Sequence, residues 1–311
     1  MNTYKFTVIV PIIYLTDFSR KAMKVICEKV HFFPQIHFIL SCSLAVEDEL
    51  KGILEQINQE SNIKIISSSN DNSNNLRHNG VLYAETEYIY YQDCDDEVDY
   101  QMILNNMKCC NGDNVVCFNI KRRQFTQTGE VKDERLLYPA QSFEVRSIDK
   151  LMTNIVNKLI PQKYINNALF YNIPFSQDLS LSFQLFEMCP HFYCAESVYL
   201  YENNWKSTAG IKKTKRESLL RVVAIEKILL KLTNNKKNKA FIKYRYENII
   251  QGRFAYLNEF YWPSLSILSI NPFCFGLKGA LKHLYHYIKM YFSCLQVLAG
   301  NSFVKKKHKK N

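Results

Sequence analysis

The stretch ETEYIYYQDCDDEVD, residues 85–99, decides the fold. Tyr88, Ile89, Tyr90 and Tyr91 form an apolar, aromatic run that drives straight into Asp93, Asp95 and Asp96. So short and aromatic a run reads as a buried strand, and the carboxylates fall where that strand should emerge. In an open α/β sheet, side chains at the carboxyl ends of strands project into the crevice that binds ligands. Three carboxylates packed this closely repel one another unless a cation lies between them. Hard oxygen ligands in a loop suit Mg²⁺ or Mn²⁺, which use one or two carboxylates and complete their shell with water and substrate phosphate. The plainer reading is a solvated acidic turn capping the next helix, since Asp favours helix N-termini.

Upstream of this stretch, residues 6–13 are a continuous β-rich run, and 19–30 carry Ala22, Val25, Ile26 and Val30 at helical spacing. A strand over 36–40, a helix over 46–57, a strand over 63–66 and a helix over 76–85 follow. Strand and helix thus alternate up to the Tyr88 strand, which predicts a parallel sheet with helices on both faces. No G-x-G-x-x-G or Walker loop occurs, so neither dinucleotide nor P-loop binding is supported. Downstream, the pattern predicts a helix over 101–109, a strand over 114–120 and a hairpin around Thr128 and Gly129. A helix over 147–159 ending at Pro161 and a strand over 197–205 that leaves the sheet complete this part. Between them Gln177 and Asp178 open a helix whose apolar residues recur at Leu181, Leu185 and Phe186. Asp178 lies near the positive end of that helix's macrodipole, which favours a carboxylate there. A simple N-terminal cap would be placed in the same way.

The formal charge of +11 conceals an asymmetry. Residues 206–311 hold 22 Lys and Arg against four acids, net +18, whereas 1–205 carry −7. The basic rear points to an anionic partner. Within it, residues 217–232 and 241–260 read as helices, and 260–277 carry no charge. Pro263 and Pro272 argue against a membrane span there. Residues 277–298 place Lys278, Lys282, His286 and Lys289 on one side and Leu281, Leu284, Tyr285, Ile288 and Phe292 on the other, and KKKHKK follows near the end. Such faces suit a helix lying in the headgroup layer of an anionic membrane surface. The competing reading packs the apolar faces on the front domain and leaves the lysines solvated. Nucleic acid is set aside, because no recognised binding motif is present. The apolar start MNTYKFTVIVPIIY contains Pro11 and lacks a small-residue cleavage site, so it reads as a first strand and not a signal peptide. Ten cysteines without such a signal point to a reducing compartment and free thiols. Cys189 and Cys194 flank His191, but no second Cys pair at zinc spacing follows, so these read as core cysteines.

The segment LRHNGVLYAETEYIYYQDCDDEV, residues 76–98, resembles the family-2 glycosyltransferases of the GT-A fold. Their pattern A-R-N-x-G-(x)3-A-x-G-E-Y-I-x-F-x-D-x-D-D is matched by Arg77, Gly80, Ala84, Glu87, Tyr88, Ile89, Asp93, Asp95 and Asp96. Gln177-Asp178 lies where that family has a Glu-Asp pair, VIVPIIY is similar to its opening strand, and SVYLYENNWKS to the strand that follows. The resemblance spans roughly residues 5–210. It implies an α/β GT-A domain with a mostly parallel central sheet over 1–205, followed by a mainly helical C-terminal region over 206–311. It implies a non-processive, inverting transferase acting on a nucleotide-diphosphate sugar, a UDP-sugar by preference, with an oligosaccharide or glycolipid acceptor. Pro11, Arg77, Asp93 and Asp95 would bind the donor, Asp95 and Asp96 would hold Mn²⁺ or Mg²⁺, and Asp178 would be the general base. The setting implied is cytoplasmic, peripheral at the inner face of a bacterial membrane. The departures are specific. Leu40, Ser41 and Cys42 stand where the family has the acids that read the nucleotide base, His78 replaces an Asn, and Gln177 replaces a Glu. No Q-x-x-R-W follows Trp205, which argues against a processive synthase. The alternative to an enzyme is an inactive relative that keeps the fold for sugar-nucleotide binding or scaffolding.

Overall fold

The computed structural model describes residues 4–56, 62–69, 72–125, 130–146, 152–166, 168 and 177–203, together with Leu281, Tyr285 and Ile288. The chain divides into two compact units, one of 1–146, 150–172 and 177–212 and the other of 147–149, 173–176 and 213–311. In the second unit Leu281, Tyr285 and Ile288 are helical and exposed. The helices expected over 217–232 and 241–260 and the charge-free stretch over 260–277 lie outside the described residues. Among the described residues, no helix is long and apolar enough to cross a membrane.

The first unit is built on one sheet. In chain order it comprises β1 (Phe6–Ile12), α1 (Asp17–Val30), β2 (Ile36–Ser43), α2 (Glu47–Glu55), β3 (Ile63–Ser68), α3 (Ser73–Leu82), β4 (Tyr88–Tyr91) and β5 (Glu97–Val98). Then come α4 (Tyr100–Asn106), β6 (Val115–Phe125), β7 (Val131–Leu136), β8 (Phe143–Val145), β9 (Lys158–Pro161), α5 (Gln162–Ile165), α6 (Gln177–Met188) and β10 (His191–Asn203). The strand order is β3-β2-β1-β4-β9-β6-β10-β5, with β7 paired to β6 and β8 to β10. Strands β1, β2, β3, β4, β6 and β10 share one direction, while β5, β7, β8 and β9 oppose it.

The continuous apolar run of β1 is buried throughout, as expected of a strand covered on both faces. Thr16 and Ser19 start α1 as a reciprocal capping box, and Met23, Ile26, Cys27 and Val30 form its buried face. Helix α3 comes close to β1 at Gly80, where a Cβ would collide with Cγ2 of Ile9. Arg77 lies one turn earlier on the same helix, so this close approach also sets where its guanidinium reaches.

Two expectations are corrected. The helix over 147–159 is absent from its described part: residues 152–154 are irregular and β9 begins at Lys158. Lys158 to Pro161 are buried between β4 and β6, pairing antiparallel with both, and this sheet pairing overrides the helical spacing of Ile148, Leu151, Met152, Ile155, Val156 and Leu159. The strand over 197–205 does not leave the sheet. It starts at His191 and, through shifts in register near Ser197, stays paired with β6 as far as Asn203. The hairpin is present as β6–β7, and of the five residues that connect the two strands 126–129 lie outside the described residues. The eight cysteines described are all free thiols.

Candidate active site

The acidic turn leaves the sheet immediately after β4, beside the end of β1, where the Gln92 amide donates to the Ile9 carbonyl. Asp99, not the three carboxylates before it, caps the next helix by accepting from the Met102 amide at 2.9 Å. The turn is closed by the Asp96 amide donating to the Asp93 carbonyl at 3.2 Å. Its carboxylates then differ in surroundings. Asp96 is buried and accepts the Tyr199 hydroxyl at 2.6 Å. That hydroxyl also accepts the Asp93 amide at 3.3 Å, so one phenol from β10 clamps both ends of the turn. Asp93 and Asp95 are partly exposed. Beneath the turn, Gln92 donates to the Asp96 carbonyl and accepts the buried Tyr100 hydroxyl.

Arg77 joins this turn to a helix far along the chain. Its guanidinium is buried, donating to Asp93 at 2.8 Å and to Asp178 at 3.3 Å, with Asn74 Oδ1 at 3.5 Å. It also lies over the ring of Tyr91, 6.0 Å from the centroid. Asp178 occupies the first turn of α6, where the helix dipole favours a carboxylate. Its second oxygen accepts the Ile155 amide at 3.3 Å. One oxygen thus faces a cation and the other a backbone donor, while 30% of the side chain stays exposed.

Burial on its own would lower the pKa of Arg77. The Asp178 and Asp93 carboxylates outweigh it and leave that pKa raised. Asp93 is pushed up by desolvation within the crevice, although 40% of its side-chain surface still meets solvent. Arg77 pulls it back, and the like charge of Asp178 adds to the rise. The three groups therefore form a site with one more negative charge than positive, suited to a cationic or hydroxyl-bearing ligand.

The residues expected from sequence are distributed as follows. Arg77, Asp93 and Asp178 meet directly, and Asp95 and Asp96 lie in the same turn as Asp93. Pro11 is buried in β1 opposite Ser41 of β2. Leu40, Ser41 and Cys42 are buried inside β2, which runs on to Ser43, so no acid stands at the end of that strand. Among the described residues, no group of three or more His, Cys, Asp or Glu is arranged to hold a metal ion by itself. Sequence reasoning missed Tyr199 and the Ile155 amide. Tyr199 is one of three tyrosines in β10, with Tyr193 and Tyr201, and although a buried phenol needs a partner, nothing local tells which of them reaches the turn. The Ile155 amide carries no side-chain signal at all.

No protein-family model matches the chain, and no curated protein sequence does. Solved structures do. Residues 1–349 of TarS from S. aureus match with a TM-score of 0.55 at 14% identity, over 94% of this chain and 80% of that one. The chain is similar in fold to this part of TarS. The same TarS piece in complex with UDP-GlcNAc matches with a TM-score of 0.55 at 13% identity, over 94% of this chain and 81% of that one. A longer TarS structure gives 0.51 at 12% identity, and this chain covers 49% of it. At these identities the likeness is one of fold, a GT-A-like α/β arrangement.

Proposed function

We propose that the protein is a non-processive, inverting glycosyltransferase that moves a sugar from a nucleotide-diphosphate donor to a hydroxyl of a lipid-linked or surface oligosaccharide. The observation that carries this reading is the meeting of Asp93 and Asp178 on one buried guanidinium beside the carboxyl end of β4. A nucleotide sugar, with UDP as the favoured nucleotide, is further supported by the fold shared with TarS, a protein solved with UDP-GlcNAc.

In this reading Asp93 accepts a ribose hydroxyl of the donor. Asp178 takes the proton of the acceptor hydroxyl as its oxygen bonds to the anomeric carbon. The electron pair of the breaking carbon–oxygen bond leaves with the nucleoside diphosphate, and a single displacement inverts the carbon. From the described residues each Asp178 oxygen receives one hydrogen bond, which orients the carboxylate without saturating it. A divalent cation, Mn²⁺ or Mg²⁺, would supply neutralisation of the charge that builds on the leaving diphosphate. Asp95, partly exposed, fits as its protein ligand. Asp96, expected to share that task, has a buried carboxylate engaged with Tyr199, so this reading gives it the work of shaping the turn.

Release of nucleoside diphosphate from a panel of nucleotide sugars, with Mn²⁺ and with EDTA, tests the proposal. Turnover should require the metal and fall by about a hundredfold or more in Asp95→Ala and Asp178→Asn. Wild-type rates in both variants would overturn the assignment. The second reading, a sugar-nucleotide-binding relative without turnover, is favoured by one observation, the absence of an acid at the end of β2. Donor binding with no release under any metal would support it.

For the rear we propose peripheral docking on an anionic membrane surface. The exposed, helical Leu281, Tyr285 and Ile288 recur at the spacing of one helix face, among Lys278, Lys282, His286 and Lys289 in sequence, and this supports that reading.

A further inference from the structure

Lys158 opens β9 and is completely buried beside Leu159, Ile160 and Pro161. A buried ammonium is costly unless its charge is answered. Its Nζ donates to the backbone carbonyl of Asn154 and, at 3.0 Å, to Oδ1 of Asn157. The Asn154 carbonyl belongs to the same peptide group as the N–H of Ile155. That N–H donates to Oδ2 of Asp178. No described peptide bond is cis, so the carbonyl and N–H of this unit point in opposite directions. A buried amine thus stands at one end of a single peptide dipole, and the candidate base stands at the other.

The surrounding contacts hold this peptide in place. Ser182, one turn beyond Asp178 on α6, donates to the Thr153 carbonyl at 2.9 Å. Tyr138 donates to the Asn154 side chain at 2.6 Å, and Asn157 donates to the Phe118 carbonyl at 2.6 Å. Burial lowers the pKa of Lys158, while Cys117 and Asp178 act against that lowering. The Asp178 carboxylate is therefore close enough for its charge to act on the amine.

We propose that Lys158 is a positioning residue for Asp178, acting through the Asn154–Ile155 peptide group. By donating to the carbonyl it polarises the unit and strengthens the N–H as a donor, because hydrogen bonds in series reinforce one another in a low-dielectric interior. The Ile155 amide then fixes one oxygen of Asp178 while Arg77 holds the other. This rests on the reading of Asp178 as the base, but the relay can be observed without turnover.

The test is ¹H–¹⁵N spectroscopy of the full chain as wild type, Lys158→Met and Asp178→Asn. In both variants the Ile155 amide proton should move upfield and exchange with solvent about tenfold faster, while amides of β1 keep their wild-type values. With a verified donor, Lys158→Met should lower kcat by about tenfold and leave the donor KM within about twofold. An Ile155 amide unmoved in Lys158→Met would overturn the relay. Should Lys158→Met fail to fold, Asp178→Asn reads the path from the other end. There the Lys158 Nζ resonance should shift, and an unmoved one overturns the proposal. Full turnover in Asp178→Asn would overturn the assignment of the base alone and leave the amide result standing.

Discussion

Arg77 donates to Asp178 at 3.3 Å across 101 positions of sequence. The same guanidinium reaches Asp93 at 2.8 Å, so removing it leaves two carboxylates facing each other without a countercharge. Arg77→Met should lower turnover by about 10²–10³-fold. It should also destabilise the fold by about 2–4 kcal/mol, at the low end for a broken buried pair because both acids keep partial solvent contact. Arg77→Lys should recover little, since one ammonium cannot fork to both acids. Nucleotide-release assays and urea unfolding check both statements. A fully active Arg77→Met would remove the guanidinium from the site's chemistry.

Tyr199 holds the acidic turn through one hydroxyl shared between the Asp93 amide and the Asp96 carboxylate. Tyr199→Phe keeps the ring and removes one hydrogen bond to a buried carboxylate, which should cost about 1–3 kcal/mol. Donor affinity should weaken more than kcat, because the turn that presents Asp93 and Asp95 loosens while Asp178 is untouched. Titration calorimetry with a nucleotide sugar separates the two. Unchanged affinity would confine Tyr199 to folding.

His191 gives a pH signature. Its ring is buried, its Nδ1 lies 3.1 Å from the Cys189 carbonyl, and Nε2 has no hydrogen-bond partner among the described residues. Desolvation first, and then the nearby Lys158, depress its pKa to about 3. The unfolded chain therefore binds a proton below about pH 6.5 that the folded chain refuses until about pH 3. Stability from this group is complete above the unfolded value and falls as pH drops through that window, at about 1.4 kcal/mol per unit. His191→Phe, which can pack on Phe186, should flatten this slope when urea unfolding is compared between pH 7 and pH 4.5. Equal slopes in the two proteins would refute it.

Gly80 sets the distance between α3 and β1. Gly80→Ala drives a methyl into Cγ2 of Ile9 and should cost about 1–3 kcal/mol by overpacking. Moving α3 also moves Arg77, so turnover should fall as well. Adding Ile9→Ala should restore part of the activity while leaving the protein less stable than wild type. No recovery in the double variant would mean that the Ile9 contact does not set the helix position.

The exposed Leu281, Tyr285 and Ile288 lead to a membrane prediction. Replacing Leu281 and Ile288 together with Glu should abolish flotation with vesicles containing phosphatidylserine, since an apolar face and lysine charges both contribute to binding. Nucleotide release in the absence of vesicles should be unaffected. Retained flotation would assign any membrane contact to another part of the chain.

Much of the first unit is legible in sequence for a simple reason. Runs such as Val8–Ile12 and Tyr88–Tyr91 are apolar in consecutive positions, and only a strand covered on both faces buries them all. Where a local pattern met a stronger tertiary demand, local reading failed. Lys158–Pro161 joins the sheet because β4 and β6 leave a strand-wide gap between them, and no periodicity within the segment records that gap.

The acidic turn and Asp178 could be picked out residue by residue, because short spacings and helix starts are properties of the local chain. What the folded chain alone decided was their meeting, and the different work given to similar carboxylates. Asp96 is turned inward on Tyr199, Asp95 is left partly exposed, and Asp93 and Asp178 are joined by one buried guanidinium. Charge, burial and hydrogen bonding between residues a hundred positions apart depend on how strands are ordered, and strand order is a property of the whole sheet.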